Sequence, residues 1–264
     1  MVFGSILRKL SEFRLDAADS QSVIMRNTAL TRAALSIVGV PHIGLRIRAS
    51  LILKEARNHR PQTIIDAGSG NGLYSLEFAA RGYTVHAIEL NQDKVSRVER
   101  YVREAGLANA SLQIADLTKL AQATRLADMV LCSEVLEHIP DDTSAVVTLR
   151  ALTRPGGILL LSVPRVSPFA ARVENSFDHV RIGYTEQQLH AMLESAGFQI
   201  LKTRQFFKMF GRMAWVADRS LRHSIVLKAM LFWPLFMLTK LDVLVPDNDK
   251  AGGIFIVARA NSEK

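Results

Sequence analysis

From Thr63 to Phe198 the chain alternates short β-rich runs with longer helical patterns, and this alternation constrains the fold more than any other feature. Thr63–Ala67 follows Pro61 and reads as a short buried strand. Gly72–Arg81 reads as a helix stopped by Gly82, and Tyr83–Ile88 as a second strand. Asn91 is a suitable cap for a helix reaching Glu104, with Gly106 just beyond it. Ala110–Ala115 and Met129–Cys132 read as the third and fourth strands, and Asp141–Leu152 as a helix. Arg154-Pro155-Gly156-Gly157 reads as a turn, and Ile158–Val163 is unbroken apolar sequence, as a strand buried on both faces requires. Thr185 opens a helix to Ala196 with Gly197 as its stop, and Phe198–Phe206 and Gly253–Ala258 supply two final strands. Strands alternating with helices imply right-handed βαβ units and an α/β, three-layer αβα sandwich around a mostly parallel sheet. Ligands in such sheets bind beyond the carboxyl ends of the strands. The lone cysteine, Cys132, excludes an internal disulfide and a cysteine-based zinc site.

The first strand runs into Asp66-Ala67-Gly68-Ser69-Gly70-Asn71-Gly72. Glycines there let a ligand approach the backbone, and the next helix aims its N-terminus at the same place. A dinucleotide fingerprint would want its third glycine where Leu73 stands, and the Asp66 carboxylate would repel a pyrophosphate. An acid suits a cationic, amine-bearing ligand instead. The second strand ends in Glu89-Leu90, where a carboxylate can accept hydrogen bonds from a ribose diol. Asp116-Leu117 follows the third strand and offers a polar edge and an apolar face, as an adenine needs. Ser133-Glu134 follows the fourth.

Together these four strand ends resemble the class I S-adenosylmethionine-dependent methyltransferases, over Thr63–Phe206 and the last strand. The resemblance implies a Rossmann-like seven-stranded sheet with an antiparallel last strand and S-adenosylmethionine as cofactor. It places Asp66, Gly68, Ser69, Gly70, Asn71 and Gly72 around the methionine part, Glu89 and Leu90 at the ribose, Asp116 and Leu117 at the adenine, and Ser133 and Glu134 alongside.

The segment Cys132-Ser133-Glu134-Val135-Leu136-Glu137-His138-Ile139-Pro140 is similar to the subgroup containing the ubiquinone-biosynthesis O-methyltransferases. Methyl transfer from a sulfonium is an in-line displacement, so the protein must mainly align the nucleophile and exclude water. An alcohol or phenol acceptor also needs a base, and His138 is the first candidate, with His179 the second. Glu134, Glu137, His138 and His179 form a candidate hard-metal set for Mg²⁺, by similarity to small-RNA 2′-O-methyltransferases. The alternative is that Glu137 and His138 only pack or pair locally. Arg181 and Tyr184 fall on the acceptor side or anchor the loop there.

The charge is unevenly placed. Residues 1–60 carry 10 Lys/Arg and 4 Asp/Glu, residues 61–200 carry 12 and 16, and residues 201–245 carry 8 and 2. The basic flanks are the additions to the core: an N-terminal helical cap over 1–60 and an apolar, basic helical insertion over 208–245, a lid or a membrane contact. The core is then 61–207 and 246–264. In the first flank Val2, Phe3, Ile6, Leu7, Leu10 and Phe13 recur at helical spacing, and Thr31–Leu53 continues the pattern past Gly39-Val40-Pro41. In the second, Ala229–Leu238 is apolar throughout and too short to span a bilayer. No secretory signal is evident, so a cytoplasmic protein, peripheral on the inner membrane face, is expected. The leading expectation is methyl transfer to a small or lipidic acceptor, with oxygen preferred. An RNA methyltransferase and a non-catalytic cofactor-binding scaffold are the alternatives; the basic residues are mixed with Leu, Met and Phe, which favours lipid over nucleic acid.

Overall fold

A computed structural model of the chain describes residues 42–120, 126–168, 180–221 and 224–262. The amphipathic pattern over residues 2–13 and His179 lie outside these residues. The elements are α1 (Ile43–His59), β1 (Thr63–Ala67), α2 (Leu73–Ala80), β2 (Thr84–Glu89), α3 (Gln92–Glu104), β3 (Ala110–Ile114), β4 (Ala127–Ser133), a 3₁₀ turn (Leu136–His138), α4 (Asp142–Leu152), β5 (Thr153–Pro164), α5 (Glu186–Ser195), β6 (Phe198–Phe206), α6 (Met209–Ser220), α7 (Ile225–Leu238), a second 3₁₀ turn (Thr239–Leu244) and β7 (Gly253–Ala260). The seven strands form one sheet in the order β3-β2-β1-β4-β5-β7-β6. Strands β1 to β5 pair in parallel, and β7 runs antiparallel to both β5 and β6. The strand order reverses between β1 and β4, which opens a crevice at their carboxyl ends.

Successive strand residues serve opposite layers. Ile64, Leu131, Leu160 and Phe255 join one apolar cluster with α1, α2, α3, α6 and α7. Ile65, Val130, Leu159, Leu161 and Ile256 join the other, with α4 and α5. This is the period-two alternation of a sheet covered on both faces. The caps follow the sequence: Asn91, Asp141 and Thr185 each accept a hydrogen bond from a backbone N–H three residues on, and Thr185 forms a full capping box with Gln188.

One reading needs correction. Arg154–Gly157 lies within β5, because Thr153 pairs with Ala127 before the ladder resumes at Ile158 opposite Met129. Gly156 takes φ +74° and absorbs the register shift. A Pro-Gly-Gly run has the chemistry of a turn and of a bulge alike, and the pairing partner decides between them.

Helix α1 and the insertion are joined. The Arg46 guanidinium lies over the Phe232 and Trp233 rings, 5.4 and 5.7 Å from their centroids. Lys228 and Asp218 form a buried ion pair at 3.1 Å between α7 and α6. His42 caps α1 by accepting from the Leu45 N–H at Nδ1, which requires a neutral ring. Burial, with the nearby Arg48, Lys228 and Arg219 charges, pushes its pKa down to about 3 and keeps it so.

Candidate active site

The loop after β1 is shaped by contacts only glycine permits. Gly68 and Gly72 both take positive φ, and a Cβ on either would lie 2.5 Å from a methyl of Val135 or Val98. At Gly70, also at positive φ, a Cβ would meet nothing within 4 Å. The loop thus packs its ends tightly and leaves its middle open. Its backbone is drawn toward β2, with the Gly68 and Ser69 N–H groups donating to the Ile88 carbonyl at 2.8 and 2.9 Å.

Two acids flank this loop. Asp66, at the end of β1, is 2% exposed and accepts from Ser75 Oγ at 2.6 Å. Burial pushes its pKa up to about 6, the Glu89 charge adds to the rise, and the Ser75 hydrogen bonds oppose it. Glu89 ends β2 and accepts from the Gly70 N–H at Oε2 (2.8 Å) and from the Asn91 N–H at Oε1 (2.9 Å). Each oxygen keeps a lone pair, so the carboxylate can still receive a pair of hydroxyls. Leu90 beside it is exposed. Asp116 is held in an Asx turn by the Thr118 N–H and Oγ1, which together hold its carboxyl below the usual range. Leu117 is buried next to it. All of the strand-end residues chosen from the sequence therefore fall along the carboxyl rim of β1, β2, β3 and β4.

The end of β4 carries more than the sequence disclosed. Glu134 takes φ +57°, rare for a residue with a side chain. Its Oε1 accepts from Ser162 Oγ at 3.0 Å, and its Oε2 lies 3.2 Å from Arg48 Nη1. Arg48 comes from α1, outside the strand-end set. Burial works against its charge, but Glu134, Tyr74 and Glu137 together outweigh that and hold the guanidinium above its ordinary pKa. The Tyr74 phenol beside it is pushed up by burial. Glu137 is fully buried, and burial, reinforced by the Glu134 charge, raises its carboxyl well above the usual range.

The metal set changes character here. Glu134 is committed to Arg48 and Ser162, Glu137 points into the protein, and His138 is exposed at the rim. Among the described residues no three His, Cys, Asp or Glu converge as a metal site. The alternation of buried Glu137 with exposed His138 follows from the 3₁₀ turn, where neighbours point in different directions. Arg181 and Tyr184 both hydrogen-bond Asp142, and Arg181 also donates to the Pro140 carbonyl at 2.9 Å. They fasten their loop to the segment after β4.

The residues present fit a nucleoside cofactor with a cationic end. Ser69 Oγ is buried without a hydrogen-bond partner among the described residues, which is costly unless a ligand supplies one. It stands in the glycine loop, whose middle at Gly70 is open.

Comparison with known proteins agrees. The family model described as "Methyltransferase domain" matches residues 44–203, more than half of the chain. The chain belongs to this family, within the class I S-adenosylmethionine-dependent methyltransferases. It is similar to the ubiquinone biosynthesis O-methyltransferase of Stutzerimonas stutzeri, 34% identical over 107 residues that make up 40% of this chain and 46% of that one. The chain thus spans about half the length of the curated relatives it matches. Two solved structures share the fold. A proposed sarcosine dimethylglycine methyltransferase from Galdieria sulphuraria has TM-score 0.61 at 14% identity, covering 89% of this chain and 99% of that one. Phosphoethanolamine N-methyltransferase 2 of Haemonchus contortus, in complex with S-adenosyl-L-methionine, has TM-score 0.57 at 16% identity, covering 76% and 49%.

Proposed function

We propose that the chain transfers a methyl group from S-adenosylmethionine to an oxygen of a small or lipidic acceptor at a membrane surface. The observation that carries the reading is the pair of acids at adjacent strand ends, buried Asp66 and half-exposed Glu89, with the glycine loop between them. When bound, the cofactor supplies an electrophilic methyl on a sulfonium. Glu89 would hold the ribose hydroxyls, Asp116 and Leu117 the adenine, and Asp66 with the Ser69 hydroxyl the methionine part. Arg48, tethered by Glu134 at the end of β4, is suited to a carboxylate. His138 is accessible on the turn after β4 and is assigned the proton of an acceptor hydroxyl; His179 is the second candidate for that role.

Oxygen as the attacked atom is supported by the segment Cys132–Pro140 and by the name of the sequence relatives. A greasy acceptor is supported by the apolar insertion packed on α1, the helix that carries Arg48. The test is transfer of labelled methyl from S-adenosylmethionine to a lipid extract, with His138→Ala and Glu89→Gln as controls. Methyl transfer to RNA but not to the extract would overturn the acceptor class, and absence of cofactor binding would overturn the whole reading.

A further inference from the structure

We propose that the outer face of α7 and of the turn that follows it is a docking surface for an anionic lipid bilayer. The inference deepens the membrane-surface part of the function proposed above and rests on that part alone. Apart from Lys228, every residue of α7 is apolar. A helix apolar on all sides is at home only where all sides are covered, and here one side is. Phe232 and Phe236 are buried with their rings parallel, and Lys228 points the same way to Asp218. On the opposite side Val226, Met230, Met237 and Leu241 recur at four- and seven-residue spacing, and all are exposed, Met230 by 69%. The following turn then presents Val243, 85% exposed, and Leu244, 75% exposed. Trp233 at the margin of such a stripe has the amphipathic ring favoured at a bilayer interface.

Charge selects the occupant. The segment 201–245 carries 8 Lys/Arg against 2 Asp/Glu. Both acids are turned inward: Asp218 is buried against Lys228, and Asp242 accepts the N–H groups of Lys208, Phe210 and Gly211 at 2.8 to 3.1 Å. Lys202, Lys208 and Lys228 pair with Glu55, Asp247 and Asp218, which leaves exposed Lys240 beside the stripe and half-buried Arg204, Arg212 and Arg219 as the segment's other described cations. A second copy of the chain docked on this face in two-fold symmetry would bring like charges together. An anionic lipid surface instead complements both the apolar stripe and the charge. No described helix is long and apolar enough to cross a membrane, so the contact is with one leaflet.

The test is cosedimentation of the full chain with vesicles of phosphatidylglycerol and phosphatidylcholine in equal parts, and of phosphatidylcholine alone. The expected result is binding to the first that weakens with added salt, little binding to the second, and a blue shift of tryptophan emission on binding. Met230→Glu with Leu244→Glu should reduce the partition by about tenfold or more, and Val243→Glu, at the most exposed position, should reduce it alone. Isothermal titration with S-adenosylmethionine, unchanged in these variants, shows that they fold. Wild-type protein that binds the cofactor but not the anionic vesicles overturns the docking face and leaves the methyltransferase reading standing. Equal binding by the variants, or a wild-type dimer that the variants dissociate, also overturns it.

Discussion

Lowering the pH through the range below neutrality should weaken S-adenosylmethionine binding through one group, Asp66. In the ligand-free protein its carboxyl is buried and its pKa stands at about 6. The folded chain therefore holds a proton between the unfolded value near 3.8 and about 6 that the unfolded chain has released. Stability from this site falls as the pH rises through that window, by about 3 kcal/mol in all. A cationic ligand group beside Asp66 reverses the preference, because it favours the ionised form. Binding above pH 6 meets an ionised partner, whereas at about pH 5 nine in ten molecules must first lose a proton, which weakens affinity about tenfold, or about 1.4 kcal/mol. Isothermal titration between pH 5 and 7 reads this directly, and buffers of different ionisation enthalpy should report about one proton released at the lower pH. Asp66→Asn should bind more weakly at neutral pH and lose the pH step, while its ligand-free form becomes more stable there. A flat affinity for the wild type over this range, or the same step surviving in Asp66→Asn, would refute the assignment.

Four further outcomes are expected. Glu89→Gln should weaken cofactor binding by about 1–3 kcal/mol by titration, through loss of charge-assisted hydrogen bonds. Gly70→Ala should lower stability by only about 1–2 kcal/mol, the cost of a side chain at positive φ, yet impair cofactor binding, whereas Gly72→Ala should cost more in thermal unfolding because its Cβ meets Val98. Lys228→Met should destabilise by about 3 kcal/mol in denaturant unfolding by stranding Asp218, and Asp218→Asn in the same chain should recover most of it. Arg48→Met should raise the S-adenosylmethionine dissociation constant more than Arg48→Lys; equal effects would remove Arg48 from the site.

The sheet was legible because its signals are local. Apart from the start of β5, the strands, the Asn91 and Thr185 helix starts and the glycine loop follow from contiguous residues, and the acids after the strands follow from a topology that right-handed crossovers nearly force. Arg48 was not legible, since what marks it is Glu134, 86 residues later, brought to 3.2 Å only by the packing of α1 on the sheet. The division between Glu137 and His138 was hidden for a different reason. Both lie on one three-residue turn, and the sequence gives their spacing but not which side faces the core. The insertion shows the same limit from the other direction. Its apolar run reads equally as a lid or a surface, and Lys228 holds the difference: a cation inside an apolar helix must find a buried partner, so it fixes the Asp218 side as the inner one and turns Met230 and Met237 outward.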